Sequence, residues 1–255
     1  MAAYYYLISG LPDISFDDSK AAMTLEQFRE EVFSRLSGAD RNLMDLLQLE
    51  DTCRTLLADK DGFVPDDDAP QFISDFLHEL KDGSWQDKAA FAEDRLWGLF
   101  YEYAMQADNE YVSRWYEFNL DMNNILSAIT ARKYGLDLQK VIVGSNDTAQ
   151  ALRTSGARDW GLSQELDCFD DVVRLTDESD LAQRERKADM LRWNWLEENS
   201  FFNFFTVEKL FSFMVRLGMV ERWTTLDKEK GQQLFRELIG TLKDQTEVPE
   251  EFRIK

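Results

Sequence analysis

The stretch NLDMNNILSAITARKYGL, Asn119 to Leu136, governs how the rest of the chain is read. Its apolar residues recur at helical spacing, yet Asn119, Asp121, Asn123 and Asn124 crowd the first half. Asn and Asp each cost roughly 0.5 kcal/mol against alanine in a helix interior, so four of them within two turns need a compensating role. On a helical wheel Phe118, Met122, Ile125, Leu126 and Ile129 share one face, while Leu120, Asn124, Ser127 and Ala131 share roughly the opposite one. That second face is small and weakly polar. A helix of this kind can be packed on both sides, and its buried amides then need hydrogen-bond partners on neighbouring elements. The pattern predicts a helix whose polar cluster, with Asp121 at the edge between the faces, fixes how it docks. A solvated face is the alternative. Gly135 is expected as the C-cap, with Arg132 and Lys133 in the last turn, where cations are favoured.

Helical signals continue on both sides. Thr24 and Gln27 have capping-box spacing, and Leu25, Phe28, Val32 and Leu36 follow on one face. DRNLMDLLQLEDTCRTLLADK carries a second helix. DKDGFVPDDDAP, with Gly62, Pro65 and the run Asp66 to Asp68, reads as a loop. Helix resumes after Pro70, with Phe72, Ile73, Phe76, Leu77 and Leu80 on one side. Ser84 is a candidate N-cap for the next, with Trp85, Ala89, Ala92, Leu96, Leu99 and Tyr103 in period. DLQKVIVGSND is a short apolar segment ending in a turn. Val207, Leu210, Phe211, Met214 and Leu217 form a stripe, and Leu234, Phe235, Leu238, Ile239 and Leu242 mark a last helix. YYYLIS near the start is either a short strand or a helix cut short by Gly10. The tail TEVPEEFRIK is polar. No alternating strand series emerges, so the expectation is an all-α chain of roughly eight to ten helices.

Composition narrows the function classes. The chain has 255 residues, 44% hydrophobic and 13% aromatic, with only 4 Pro and 12 Gly. That supports a sizeable core and long helices. A formal net charge of -20 opposes binding to nucleic acid or anionic lipid and favours basic protein surfaces; solubility is the plainer reading. Cys53 and Cys168 form no spaced motif and are expected as reduced thiols of a cytoplasmic protein. No apolar run approaches the roughly 20 residues a membrane helix needs, and the N-terminus lacks the basic start of a signal peptide.

Catalytic motifs are scarce. His78 is the one histidine; Asp75 and His78 have the i, i+3 spacing of a di-iron bundle, but that site needs a second such pair. DKDG lacks the full calcium-loop pattern. There is no P-loop, dinucleotide fingerprint, nucleophile elbow or zinc pattern. No cofactor, metal site or catalytic residue is expected. Trp193, Trp195, Phe201, Phe202, Phe204 and Phe205 cannot share one face of a single helix. They are either core packing across a helix break near Asn199 or an aromatic-anchored partner interface.

With those residues laid out, a resemblance can be stated. NLDMNNILSAITARKYGLD resembles the hallmark segment of the C/d-subunit family of V/A-type ATPases. Asp121 and Asn124 match its Asp and Asn, and Ala131, Arg132 and Lys133 match its basic stretch, although Thr130 stands at the family's arginine position. YYYLISGLPDIS, with Tyr4 and Tyr6, is similar to family N-termini, and closer still to a short bacterial family whose genes accompany V/A-type ATP synthases. VEKLFSFMVRLGMVERWTTLDKEKGQQLFREL is similar to the closing helices. The resemblance implies three pseudo-repeated helical lobes around a funnel, with tentative boundaries 1–83, 84–160 and 161–255. From the residues alone, the acidic loop around Asp61 and the glycines at 156 and 161 are the candidate lobe boundaries. The resemblance also implies a non-catalytic rotor subunit, cytoplasmic and peripheral at the inner membrane face through protein contacts only. Its partners would be the central shaft and the c ring, whose loops tend to be basic. A freestanding helical scaffold of the same ancestry is the rival reading, and a hydrolase using a carboxylate pair is the third.

Overall fold

A computed structural model describes residues 4–60, 62–66, 68–81 and 92–245, with side chains to residue 229. Eleven α-helices and no strand occur among the described residues, so the all-α expectation holds. The helices are α1 (Tyr5–Ser9), α2 (Leu25–Val32), α3 (Gly38–Ala58), α4 (Gln71–Lys81), α5 (Ala92–Ala104), α6 (Glu110–Tyr134), α7 (Leu138–Val141), α8 (Asp147–Thr154), α9 (Phe169–Leu175), α10 (Leu181–Asn199) and α11 (Val207–Gln245). The count exceeds eight to ten because single-turn pieces such as α1 and α7 form beside the long helices. Ser84, Trp85, Ala89 and Asp61 lie outside the described residues, as do the side chains of Leu234, Phe235, Leu238, Ile239 and Leu242 and the tail after Gln245.

Local chemistry sets the helix ends. Thr24 and Gln27 form the capping box at α2, Ser37 caps α3 and Asn109 caps α6. The opening YYLIS forms α1, ending at Gly10. Gly135 adopts the left-handed conformation, φ 68°, and closes α6 with Arg132 and Lys133 in its last turn. The last two helical patterns, which the sequence separates, join into one helix. α11 runs unbroken to Gln245.

α6 is the axis of the molecule. It packs against α5, α7, α8, α9, α10 and α11. Phe118, Met122 and Ile125 are buried on one side, and Leu120, Asn124 and Ala131 on the other. The helix is thus enclosed on both faces. α11 packs against α2, α3, α6 and α10, so the last described helix rests on the first long ones. The backbone amide of Leu25 donates to Glu221 Oε1 at 3.0 Å, tying the start of α2 to α11. Phe28, Met44, Leu56, Ile73, Phe76, Leu96, Phe100, Tyr116 and Phe211 fill a shared core. Val207, Leu210, Phe211, Met214 and Leu217, the stripe read from sequence, are all buried in it.

Candidate functional site

A hollow of about 560 Å³ lies beside α6 and is bounded by α2, α3, α5, α6, α10 and α11, with Val141 and Val143 at one margin. Tyr116, Asn119, Leu120 and Asn124 from α6 and Met214 from α11 form its buried wall. Asp51, Arg54, Asn123, Glu185 and Arg222 line it and are exposed, so it opens to solvent.

Of the four polar residues of NLDMNN, Asn119, Asn123 and Asn124 line the hollow, and Asp121 binds the loop beside it. The Asn124 amide donates to the Val143 carbonyl at 2.8 Å and accepts from the Val143 N–H at 2.9 Å, pairing with that peptide as a neighbouring strand would. Asp121 accepts from Asn146 Nδ2 at 2.8 Å, and Asn146 is also the N-cap of α8. Arg153 secures the same loop by donating to the carbonyls of Gly144 and Ile142. Asn119 and Asn123 both face α10. Arg192 donates from Nε to Asn119 Oδ1 at 2.9 Å and from Nη2 to Asn123 Oδ1 at 3.4 Å. Asn119 also donates to the Trp115 carbonyl, and Asn123 to the Tyr101 hydroxyl. The helix-propensity cost of these residues, about 2 kcal/mol together, is offset by hydrogen bonds that each contribute roughly 1 kcal/mol net.

Arg192 and Asp189 fasten α10 to its neighbours, Arg192 to α6 and Asp189 to α11. Asp189, 1% exposed, accepts from Arg192 Nη1 at 3.1 Å, from Trp223 Nε1 at 2.8 Å and from Arg222. Burial lowers the Arg192 pKa from its ordinary value, opposed by Tyr101 and by the carboxylates Glu185 and Glu50. Across the hollow Glu50 and Asp51 grip Arg54. Burial raises the Glu50 pKa while Arg54 holds it down. Glu50 and Asp51 are thus bound to Arg54, and Asp189 to Arg192 and Arg222; Asp94 and Glu185 also line the hollow. Burial pushes the Cys53 thiol up to about 12, which keeps it protonated and unreactive.

The remaining sequence-singled residues fall into distinct places. Arg132 donates to the carbonyls of Ala157 and Arg158, and its guanidinium stacks over the Trp160 ring at 3.7 Å. It clamps the loop after α8 and does not line the hollow. His78 is exposed on α4. The aromatic run divides at the end of α10. Trp193 is buried against Phe16, and Trp195 packs among Tyr111, Trp115 and Phe118. These two are core, so the candidate interface set contracts to the phenylalanines beyond Asn199. Phe201, Phe202 and Phe204 are exposed, and Phe205 lies half-buried against Tyr5.

Sequence reading missed Arg192, Asp189, Glu50 and Arg54 as members of one site. A signal was present. Arg192 sits directly between Leu191 and Trp193, and once such neighbours are buried an unpartnered guanidinium would be costly.

The comparisons with known proteins bear on the chain as a whole. A family model described as "Protein of unknown function (DUF2764)" matches residues 1–61 and 50–246. No curated protein and no solved structure matches the chain. Matched from its first residue to residue 246, the chain belongs to the DUF2764 family.

Proposed function

We propose that this protein is a non-catalytic rotor subunit of a V/A-type ATPase, joining the central shaft to the membrane c ring. The observation that carries the reading is the open hollow bounded by six helices. A coupling part needs a recess that receives another subunit and walls stiff enough to transmit force. An α-helix about 10 Å wide that rises 1.5 Å per residue would place roughly one turn in a space of this volume. Arg192 ties α10 to α6 through Asn119 and Asn123, and Asp189 ties α10 to α11 through Trp223 and Arg222, so sliding α10 would break contacts to both neighbours. The resemblance of Asp121 and Asn124 to the C/d-subunit pattern supports the same reading, as does a charge of -20 facing basic ring loops. The three-lobe funnel belongs to this proposal.

The test is capture of purified shaft and c-ring subunits by the full chain. Both are expected to bind. Ser127 lines the hollow, so Ser127→Trp is expected to abolish shaft capture while leaving ring capture and the melting temperature unchanged. Failure of both subunits to bind the wild-type chain under gentle conditions would overturn the proposal.

A further inference from the structure

Beside the hollow the chain twice holds a cation of its own between a carboxylate and an indole. Where α10 meets α11, Asp189 accepts from Arg222 and from Trp223 Nε1, and the Arg222 guanidinium lies 5.6 Å from the Trp223 ring. On α3, Glu50 and Asp51 hold Arg54, whose guanidinium lies 5.8 Å from the Trp97 ring of α5. Trp97 is half-buried, and an indole face attracts a cation most strongly where water is excluded.

Asp94 repeats the arrangement without the cation. It stands one helical turn before Trp97 on α5, on the same face, and both line the hollow. It is half-buried and makes no ion pair or hydrogen bond among the described residues. Burial lifts its carboxyl above the ordinary value, Glu93 adds to the rise, and no cation opposes it. Glu185, the other lining carboxylate without an ion pair, has Arg192 and Arg222 near it, but both are committed to Asp189. The fourth lining arginine, Arg29, acts outside the hollow, where burial raises the Asp45 pKa and Arg41 and Arg29 oppose it. The arginines are thus answered, and two of the carboxylates are not.

We propose that the hollow is the receptor for an organic cation seated against Asp94 and Trp97. The source of that cation rests on the coupling role: it is an arginine or lysine side chain of the inserted shaft. An anionic occupant would meet two free carboxylates and arginines that are already engaged. A purely apolar one would leave Asp94 enclosed without a counter-charge, which is costly. A space of about 560 Å³ admits a long basic side chain together with the turn of helix that bears it.

Agmatine, which is decarboxylated arginine, imitates such a side chain and tests the site without the shaft. The full chain is expected to bind agmatine saturably in calorimetry, with quenching of tryptophan fluorescence, and not to bind glutarate. Asp94→Asn keeps the shape of the site and is expected to weaken agmatine binding on the order of tenfold without lowering the melting temperature. Shaft capture is expected to fall by a similar factor in the variant, and agmatine to compete with it. No saturable binding of agmatine to wild type, equal binding to Asp94→Asn, or tighter binding of glutarate would overturn the proposal. Shaft capture that neither the substitution nor agmatine weakens would also overturn it, and would leave the coupling role standing. Asp94-dependent binding of agmatine by a chain that captures no shaft would sustain the cation site and overturn the coupling role alone.

Discussion

Asp121 shows how one residue of the quoted stretch connects structure to pH. Burial raises its pKa from 3.8 to about 6, against the hydrogen bonds from Asn146 and Thr148, which lower it, and with Glu117 adding to the rise. Between those two values the folded chain holds a proton that the unfolded chain has released. The contribution of this group to stability is therefore complete below about pH 4 and lost as pH rises through about 6, a change of at most roughly 3 kcal/mol. Asp121→Asn keeps an acceptor for Asn146 and carries no charge. It is expected to be more stable than wild type at pH 7.5 by about 1–2 kcal/mol, with the gap closing near pH 4.5. Urea denaturation at the two pH values measures this. A variant less stable than wild type at pH 7.5 would mean that the carboxylate's hydrogen bonds outweigh its burial. Nothing in the local sequence carried this shift, because Asn146 and Thr148 reach Asp121, and bury it, only through the fold.

Elements meet here through backbone shape as much as through side chains. The loop after α7 lies against α6 because Gly144 takes a φ of 77° and leaves room for Leu120. A Cβ on Gly144 would stand 3.0 Å from Leu120 Cδ2. Gly144→Ala combines positive-φ strain with that contact and is expected to cost about 1–3 kcal/mol. Chemical denaturation measures the loss, and faster amide exchange at Val143 would place it in the Asn124 pairing. The Gly-Ser-Asn turn was visible in the sequence as a breaker, and the helical face of α6 was visible as a period. That the two bond to each other was not, since Asn124 and Val143 are 19 residues apart and no periodicity joins a helix to a loop peptide. The aromatic run teaches the same lesson. Trp193 and Phe202 look alike in composition, but the end of α10 at Asn199 turns one into the core and leaves the other at the surface.

At the scale of the whole molecule two electrostatic regimes coexist. The surface carries an excess of acid whose mutual repulsion salt screens, while the Arg192–Asp189 network is largely removed from solvent and screened much less. Added sodium chloride is therefore expected to raise the melting temperature of the wild-type chain. Arg192→Met removes the bonds from α10 to Asn119 and Asn123 and leaves the buried Asn119 carbonyl and Asp189 carboxylate each short of a donor, at an expected cost of about 2–4 kcal/mol. The deficit should be nearly the same at low and high salt, as thermal unfolding over a salt series would record. A deficit that vanishes at high salt would show that the network acts as an ordinary surface pair.

Helix content, most helix ends and the enclosure of α6 follow from information a few residues wide. Capping pairs, left-handed glycines and 3.6-residue periods act through hydrogen bonds and faces within one element, so they are legible before any folding is known. The hollow, the Arg192–Asp189 network and the split of the aromatic run arise otherwise. Arg192 reaches Asn119 across 73 positions, and Leu25 reaches Glu221 across 196. Such contacts exist only once packing has brought distant helices together, because burial then compels each polar group to find whichever partner the geometry supplies.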